Sequence, residues 1–215
     1  MRVGVLGTGV VGETIATKLV QLGHEVRMGS REAGNEKAAA WAASTGGSHG
    51  TFADAASFGD LLFNCTSGMA SLDALAAAGA DAIGTKVLID VANPLDFSQG
   101  MPPSLSVSNT DSLGEQIQRA FPAARVVKAL NTITCALMVD PSLVPGEHTI
   151  FVCGDDAGAK AEVTALLGTF GWAAERVLDV GEITASRATE MYLPLWLRLY
   201  GTFGSPNVNV QVLHG

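Results

Sequence analysis

A chain of 215 residues, 47% hydrophobic and 16% charged, has ample apolar material for one large or two small domains and argues against long disordered tails. Its formal net charge of -8 argues against nucleic acid or an anionic membrane as the main partner, so a polyanionic ligand must be met by local cations. Three cysteines without C-x-x-C spacing (Cys65, Cys135, Cys153) and histidines without ligand pairing predict buried thiols in a reducing cytoplasm and no metal.

Met1-Arg2 leads straight into an apolar run, so no signal peptide is expected. No apolar run reaches transmembrane length; the nearest, Met191 to Leu199, is broken by Pro194 and Arg198. These features predict a soluble, cytoplasmic protein.

Val3-Gly4-Val5-Leu6 reads as a short buried parallel strand. Gly7-Thr8-Gly9-Val10-Val11-Gly12 follows as G-x-G-x-x-G, and Ile15, Ala16, Leu19 and Val20 then recur at helical spacing. Gly7 allows the tight turn, Gly9 lets the backbone approach a pyrophosphate, and Gly12 lets helix and strand pack closely. The anion then meets the free N–H groups at the helix start. Gly23 is the expected C-cap, and a second strand runs from His24 to Met28.

The end of that second strand selects the nucleotide. An NAD site places Asp or Glu about 20 residues after the glycines to accept from the ribose 2′-OH. Here the place holds Gly29-Ser30-Arg31, whose hydroxyl and guanidinium suit a 2′-phosphate. The residues therefore predict NADP(H) over NAD(H). Glu32 lies one residue too late and is expected to cap the next helix.

Further on, helix Asn35 to Ser44, a weak strand His49 to Phe52 and a short helix from Ala53 lead to strand Asp60 to Cys65. Helix Ala70 to Ala78, strand Lys86 to Val91 and an irregular stretch from Asn93 to about Asn109 come next. Helix Asp111 to Phe121 and strand Arg125 to Leu130 complete this part. The remainder reads as strand Ile150 to Cys153, helix Asp155 to Phe170, strand Arg176 to Val180 and a helix from Ile183 to Tyr200. Such βα alternation predicts a Rossmann-type α/β fold with a mostly parallel, doubly wound sheet. Residues 1–145 would form the dinucleotide-binding unit, and 146–215 an extension on the same sheet ending in a long apolar helix; a single domain over 1–215 is the alternative.

Ligands in such sheets bind beyond the carboxyl ends of the strands. Those ends offer Gly7-Thr8-Gly9-Val10, Ser30-Arg31, Thr66-Ser67-Gly68, Asn93-Pro94 and Asn131-Thr132-Ile133. Thr66 and Ser67 can approach ribose or pyrophosphate unless they cap a helix. Asn93 and Asn131 can face the nicotinamide side unless they satisfy their own turns. No strand end supplies Lys, His or Tyr as a general acid for reducing a ketone, since Lys128 lies inside a strand and Tyr192 on a distant helix. A site of this kind suits hydride transfer between two rings that the protein aligns.

The G-T-G-V-V-G turn, the M-G-S-R strand ending, V-V-K-A-L-N-T-I (Val126 to Ile133), V-C-G-D-D (Val152 to Asp156) and the terminal helix together resemble the coenzyme F420-dependent NADP oxidoreductase family. The chain is also similar to the cytosolic reductase domain of eukaryotic transmembrane metalloreductases. The resemblance implies hydride transfer between NADP(H) and a deazaflavin (F420) or flavin-like ring stacked on the nicotinamide. It implies dinucleotide contacts from Thr8, Gly9, Val10, Val11, Ser30, Arg31, Thr66 and Asn93, and a second ring near Asn131, Thr132 and Ile133 under the terminal helix. Archaeal members carry His where Asn131 stands and a basic residue where Glu32 stands, which leaves the second ring open between deazaflavin and flavin. A non-catalytic NADP(H) sensor and an NADPH-dependent imine or small-carbonyl reductase are the alternatives.

The terminal helix is apolar nearly all round: Ala188, Met191, Tyr192, Leu195, Trp196 and Leu199 on one side, Leu193 and Leu197 on the other. A helix of this kind is buried on all sides. It predicts a homodimer contact as well as a core contact.

Overall fold

The structure, a computed structural model, describes residues 1–215. In chain order the first half comprises β1 (Arg2–Leu6), α1 (Val10–Gln21), β2 (Glu25–Ser30), α2 (Glu36–Thr45), β3 (Ser48–Thr51), α3 (Phe52–Phe58), β4 (Leu61–Asn64), α4 (Ser71–Ala78), α5 (Ala80–Ile83) and β5 (Val87–Asp90). Then follow β6 (Leu95–Asp96), β7 (Ser104–Leu105), α6 (Leu113–Ala120), β8 (Arg125–Ala129), α7 (Cys135–Val139), β9 (Ile150–Cys153), α8 (Ala157–Thr169), β10 (Val177–Asp179), α9 (Ser186–Met191) and α10 (Leu193–Phe203).

Eight strands form one sheet in the order β10-β9-β8-β5-β4-β1-β2-β3. The six from β3 to β8 in that order are parallel; β9 runs antiparallel to β8, with β10 parallel to β9. This is the doubly wound, mostly parallel α/β sheet that the βα alternation predicts. Its strand order reverses between β1 and β4, and the crevice beyond a reversal of this kind is where such folds bind ligands.

Period-2 alternation sends side chains to two cores. Val3, Val5, Leu61, Phe63, Val87 and Ile89 pack on one face with α1 and α8, while Leu6, Leu62, Leu88 and Val126 pack on the other with α3, α4 and α6. Gly29 allows α3 to lie close on β2, because a Cβ there would come within 2.8 Å of Ala55 Cβ. Local capping chemistry sets the helix starts. Asn35 accepts from Ala38 N–H, Thr51 and Asp54 form a capping box, and Asp156 accepts from Ala159 N–H. The cap of α2 is thus Asn35 and not Glu32, because the chain makes a turn before the helix begins.

Two stretches differ from their sequence reading. Asn93 to Asn109 contains a short antiparallel hairpin, β6 with β7, whose two-residue strands are too brief to show a period. The C-terminal helix is present: a 3-10 turn at Ile183–Ala185 precedes α9, and at Tyr192, whose backbone stays helical, the hydrogen-bond ladder is interrupted between α9 and α10. Pro194 has no N–H to give the Glu190 carbonyl, which accounts for the missing hydrogen bond. Within one chain α10 buries Leu193 and leaves Leu195 52% and Phe203 66% exposed, so it is not enclosed on all sides. No helix is long and apolar enough to cross a membrane.

Candidate functional site

The glycine turn joins β1 to α1 at the sheet reversal. Gly7 has φ +121°, a conformation that L side chains rarely adopt, and a Cβ there would crowd the Cys65 carbonyl at 2.6 Å. A Cβ at Gly12 would collide with the Gly7 carbonyl, so this glycine sets how closely α1 packs on the turn. Gly9 differs from both: a Cβ there meets nothing within 4 Å. The space over Gly9 is therefore open to a ligand. Gly9 is also the N-cap of α1 and gives no side-chain cap, so the first-turn N–H groups face outward without partners from a cap.

A cleft of about 640 Å³ runs from this turn across the ends of β2 and β4. Gly7, Thr8, Gly9, Ser30, Arg31, Thr66 and Ser67 all line it, brought together from three strand ends as the sequence suggests. Ser30 is buried and its hydroxyl donates to the Glu32 carbonyl at 2.5 Å, fixing the loop. Arg31 is exposed and forms no ion pair, so its guanidinium is the free cation at this end. Glu32, Asn35 and Asp73 also line the cleft, none of them anticipated as wall residues.

A second cavity of about 300 Å³ adjoins the first and shares Cys65, Thr66 and Ser67 with it. Val11, Asn93, Asn131 and Ile133 line it, with Leu95 and Phe97 from the hairpin and Leu193 and Trp196 from α10. Those hairpin and α10 walls escaped the sequence reading, apart from the terminal helix as a general cover. Val10 is 66% exposed at the rim of the turn, and Val10, Gly12 and Thr132 line neither cavity. Thr132 is 1% exposed, and its hydroxyl has no hydrogen-bond partner.

The polar side chains at these strand ends are held by one another. Thr66 Oγ1 donates to Asn64 Oδ1 at 2.7 Å and lies 2.9 Å from Ser71 Oγ, so it braces its loop and caps no helix. Ser67 precedes a 3-10 turn, makes no side-chain cap and remains exposed. Asn93 and Asn131 bond across to each other and not to their own turns. A Cβ at Gly68 would collide with the Asn93 carbonyl, so the loops after β4 and β5 lie in close contact.

The second cavity contains no Lys, Arg, His, Asp, Glu or Tyr. Its Cys65 thiol is pushed well up by burial and by the nearby Asp90 carboxylate, which removes it as an acid near neutral pH. Lys128 is fully buried beneath this wall, with Nζ bonded to Asp90, Glu190 and the Ala92 carbonyl. Burial alone would lower its pKa, but the two carboxylates overcome that and hold it raised. Its three protons meet three acceptors, so it has none to offer to a substrate.

Residues 2–94 match the family described as NADP oxidoreductase, coenzyme F420-dependent. The crystal structure of a protein assigned as an F420-dependent NADP reductase, from Arthrobacter sp. FB24, is 48% identical, with 100% of each chain covered and a TM-score of 0.94. The metalloreductase STEAP3 of Rattus norvegicus is 30% identical over 205 residues, 91% of this chain, and the chain spans 38% of that relative's length. A reductive aminase from Aspergillus terreus, solved with NADPH and ethyl-5-oxohexanoate, shares the fold at 20% identity and a TM-score of 0.68, over 94% of this chain and 62% of its own. The chain is an NADP-dependent oxidoreductase and belongs to the coenzyme F420-dependent NADP oxidoreductase family.

Proposed function

We propose that the chain transfers a hydride between NADP(H), whose nucleotide lies in the larger cleft and whose nicotinamide reaches the Asn93–Asn131 wall of the second cavity, and a deazaflavin or flavin ring in the rest of that cavity. One observation carries the reading: the two cavities share Cys65, Thr66 and Ser67, and the second is lined by no Lys, Arg, His, Asp, Glu or Tyr to serve as a general acid. An isoalloxazine-type ring accepts the hydride directly and takes any accompanying proton from water, so the protein needs only to align the partners. The family match and the Arthrobacter neighbour, both named for F420, support the same acceptor class.

Each part of the cleft has a place in this reading. The open space over Gly9 and the free N–H groups of α1 receive the pyrophosphate. Arg31 pairs with the 2′-phosphate, while Thr66 and Ser67 border the nicotinamide ribose. Asn93 and Asn131 orient the nicotinamide, and Ile133, Phe97 and Trp196 enclose the second ring. The exposed stripe of Met191, Leu195 and Phe203, spaced in multiples of four along the terminal helices, is covered by a second copy of the chain.

The deciding experiment mixes the purified chain with NADPH and, separately, F420, FMN or FAD, and follows absorbance. Oxidation of NADPH by at least one ring well above the rate without protein is expected. Tight NADP(H) binding with no turnover of any ring would replace this reading with a sensor or a small-substrate reductase.

A further inference from the structure

Behind the wall that carries Asn93 lies a buried charge cluster whose signs do not cancel. Lys128 Nζ is 2.7 Å from Asp90 Oδ2 and 2.8 Å from Glu190 Oε1, and none of the three side chains is more than 1% exposed. One ammonium against two carboxylates leaves one formal negative charge. No second cation offsets it. Dipoles complete the shell instead: Leu113 and Gly114 N–H donate to Glu190 at 2.9 and 3.0 Å, and Asn64 Nδ2 donates to Asp90 Oδ1 at 2.8 Å.

Buried ion pairs are poor stabilisers, and an unbalanced one is costlier still, so stability alone does not explain this arrangement. Its position does. The Ala92 carbonyl accepts from Lys128 at 2.5 Å, Ala92 N–H donates to Asp90 at 3.2 Å, and Ala92 and Asn93 both line the second cavity. The cluster thus sits directly behind the proposed nicotinamide wall.

We propose that the excess negative charge of the Lys128–Asp90–Glu190 cluster biases the bound cofactor toward NADP+. The inference rests on the NADP(H) reading of the cleft. The nicotinamide ring is neutral in NADPH, and it carries a positive charge once its hydride, with both bonding electrons, has passed to the acceptor ring. A fixed negative charge in a water-excluded wall attracts the charged form alone. Asp90, Lys128 and Glu190 touch neither ring; they are positioning residues acting through the field and through Ala92.

The test uses the full chain and three ligands: NADP+, NADPH and 2′-phospho-ADP-ribose, which lacks the nicotinamide. Glu190→Gln keeps the side-chain shape and removes the excess charge. Calorimetry should show NADP+ binding weakened by about tenfold, with NADPH and the ring-less fragment within about twofold of the unmutated chain. Asp90→Asn removes the same charge from the other side of Lys128 and must give the same change in ratio, which guards against a folding defect in either variant. Equal weakening of NADP+ and NADPH would make the cluster a structural brace and overturn the proposal. An unchanged ratio in both variants would overturn it as well. An unmutated chain that binds neither nucleotide would instead refute the NADP(H) reading itself, a separate and recognisable result.

Discussion

Asn93 and Asn131 lock each other across the ends of adjacent strands: Asn131 Nδ2 donates to Asn93 Oδ1 at 2.9 Å, and Asn93 Nδ2 donates to the Asn131 carbonyl at 2.7 Å. The lock leaves Asn131 Oδ1 and one N–H of Asn93 available on the cavity wall, an acceptor and a donor suited to a carboxamide. Asn131→Ala removes the donor to Asn93 Oδ1 and should cost about 1 kcal/mol of stability, seen as a lower Tm. Hydride transfer depends on alignment to within about 1 Å, so kcat should fall at least about tenfold while NADPH affinity changes little. An unchanged kcat would remove Asn131 from the site.

Arg31 decides between the two dinucleotides. It lines the cleft at the end of β2 without a carboxylate partner, and Ser30 beside it is committed to the Glu32 carbonyl. NADPH should bind better than NADH by about 2 kcal/mol, roughly thirtyfold, as a charge-assisted contact warrants. Arg31→Ala should abolish most of that gap. Equal dissociation constants in the unmutated chain would show that the guanidinium does not read the 2′-phosphate.

Gly9 offers a cleaner separation of fold from binding than its neighbours. A side chain at Gly7 or Gly12 collides with backbone, whereas one at Gly9 meets only open space. Gly9→Val should therefore fold with nearly unchanged Tm and lose NADP(H) binding, because its methyl groups occupy the path to the first-turn N–H groups of α1. Full NADPH affinity in the folded variant would make the turn purely structural.

The legibility of this site follows from how local each part is. The glycine turn and Ser30-Arg31 are contiguous runs whose chemistry depends on immediate neighbours, and the structure lines one cleft with them. The walls of the second cavity are not contiguous. Phe97 comes from a hairpin with two-residue strands and Trp196 from the C-terminal helix, and no spacing rule links either to Asn131. Lys128 sits between: a charge inside V-V-K-A-L demands buried counter-charges, yet nothing in the sequence singles out Glu190 as one of them. The interrupted hydrogen bonding near Tyr192 follows from Pro194, whose missing N–H the apolar pattern around it does not reveal.

The exposed face of α10 bears on assembly. Trp196 points inward, lining the second cavity and donating from Nε1 to the Val208 carbonyl at 3.3 Å, so it is not the residue that meets a partner. In the proposed dimer it is Leu195 and Phe203, with most of the exposure, that meet the second copy. Light scattering at micromolar concentration should give a dimer for the unmutated chain and a monomer for Leu195→Glu combined with Phe203→Glu. A monomer in the unmutated chain would leave the stripe without a second copy to cover it.

Ile133 tests the reaction itself. It is 6% exposed, follows β8 and lines the second cavity without reaching the larger cleft. Hydride transfer needs the two rings stacked within roughly 3–3.5 Å, so filling the second cavity should stop turnover without displacing the nucleotide. Ile133→Trp adds an indole there, and overpacking at this buried position should cost about 1–3 kcal/mol, which the fold must absorb. The expected result is a folded protein with near-normal NADPH affinity and at least about a hundredfold slower NADPH oxidation by its ring acceptor. Loss of NADPH binding in a folded variant would mean that the nicotinamide, and not the second ring, lies against Ile133. Undiminished turnover would place the second ring somewhere other than the pocket bounded by Asn131, Phe97 and Trp196.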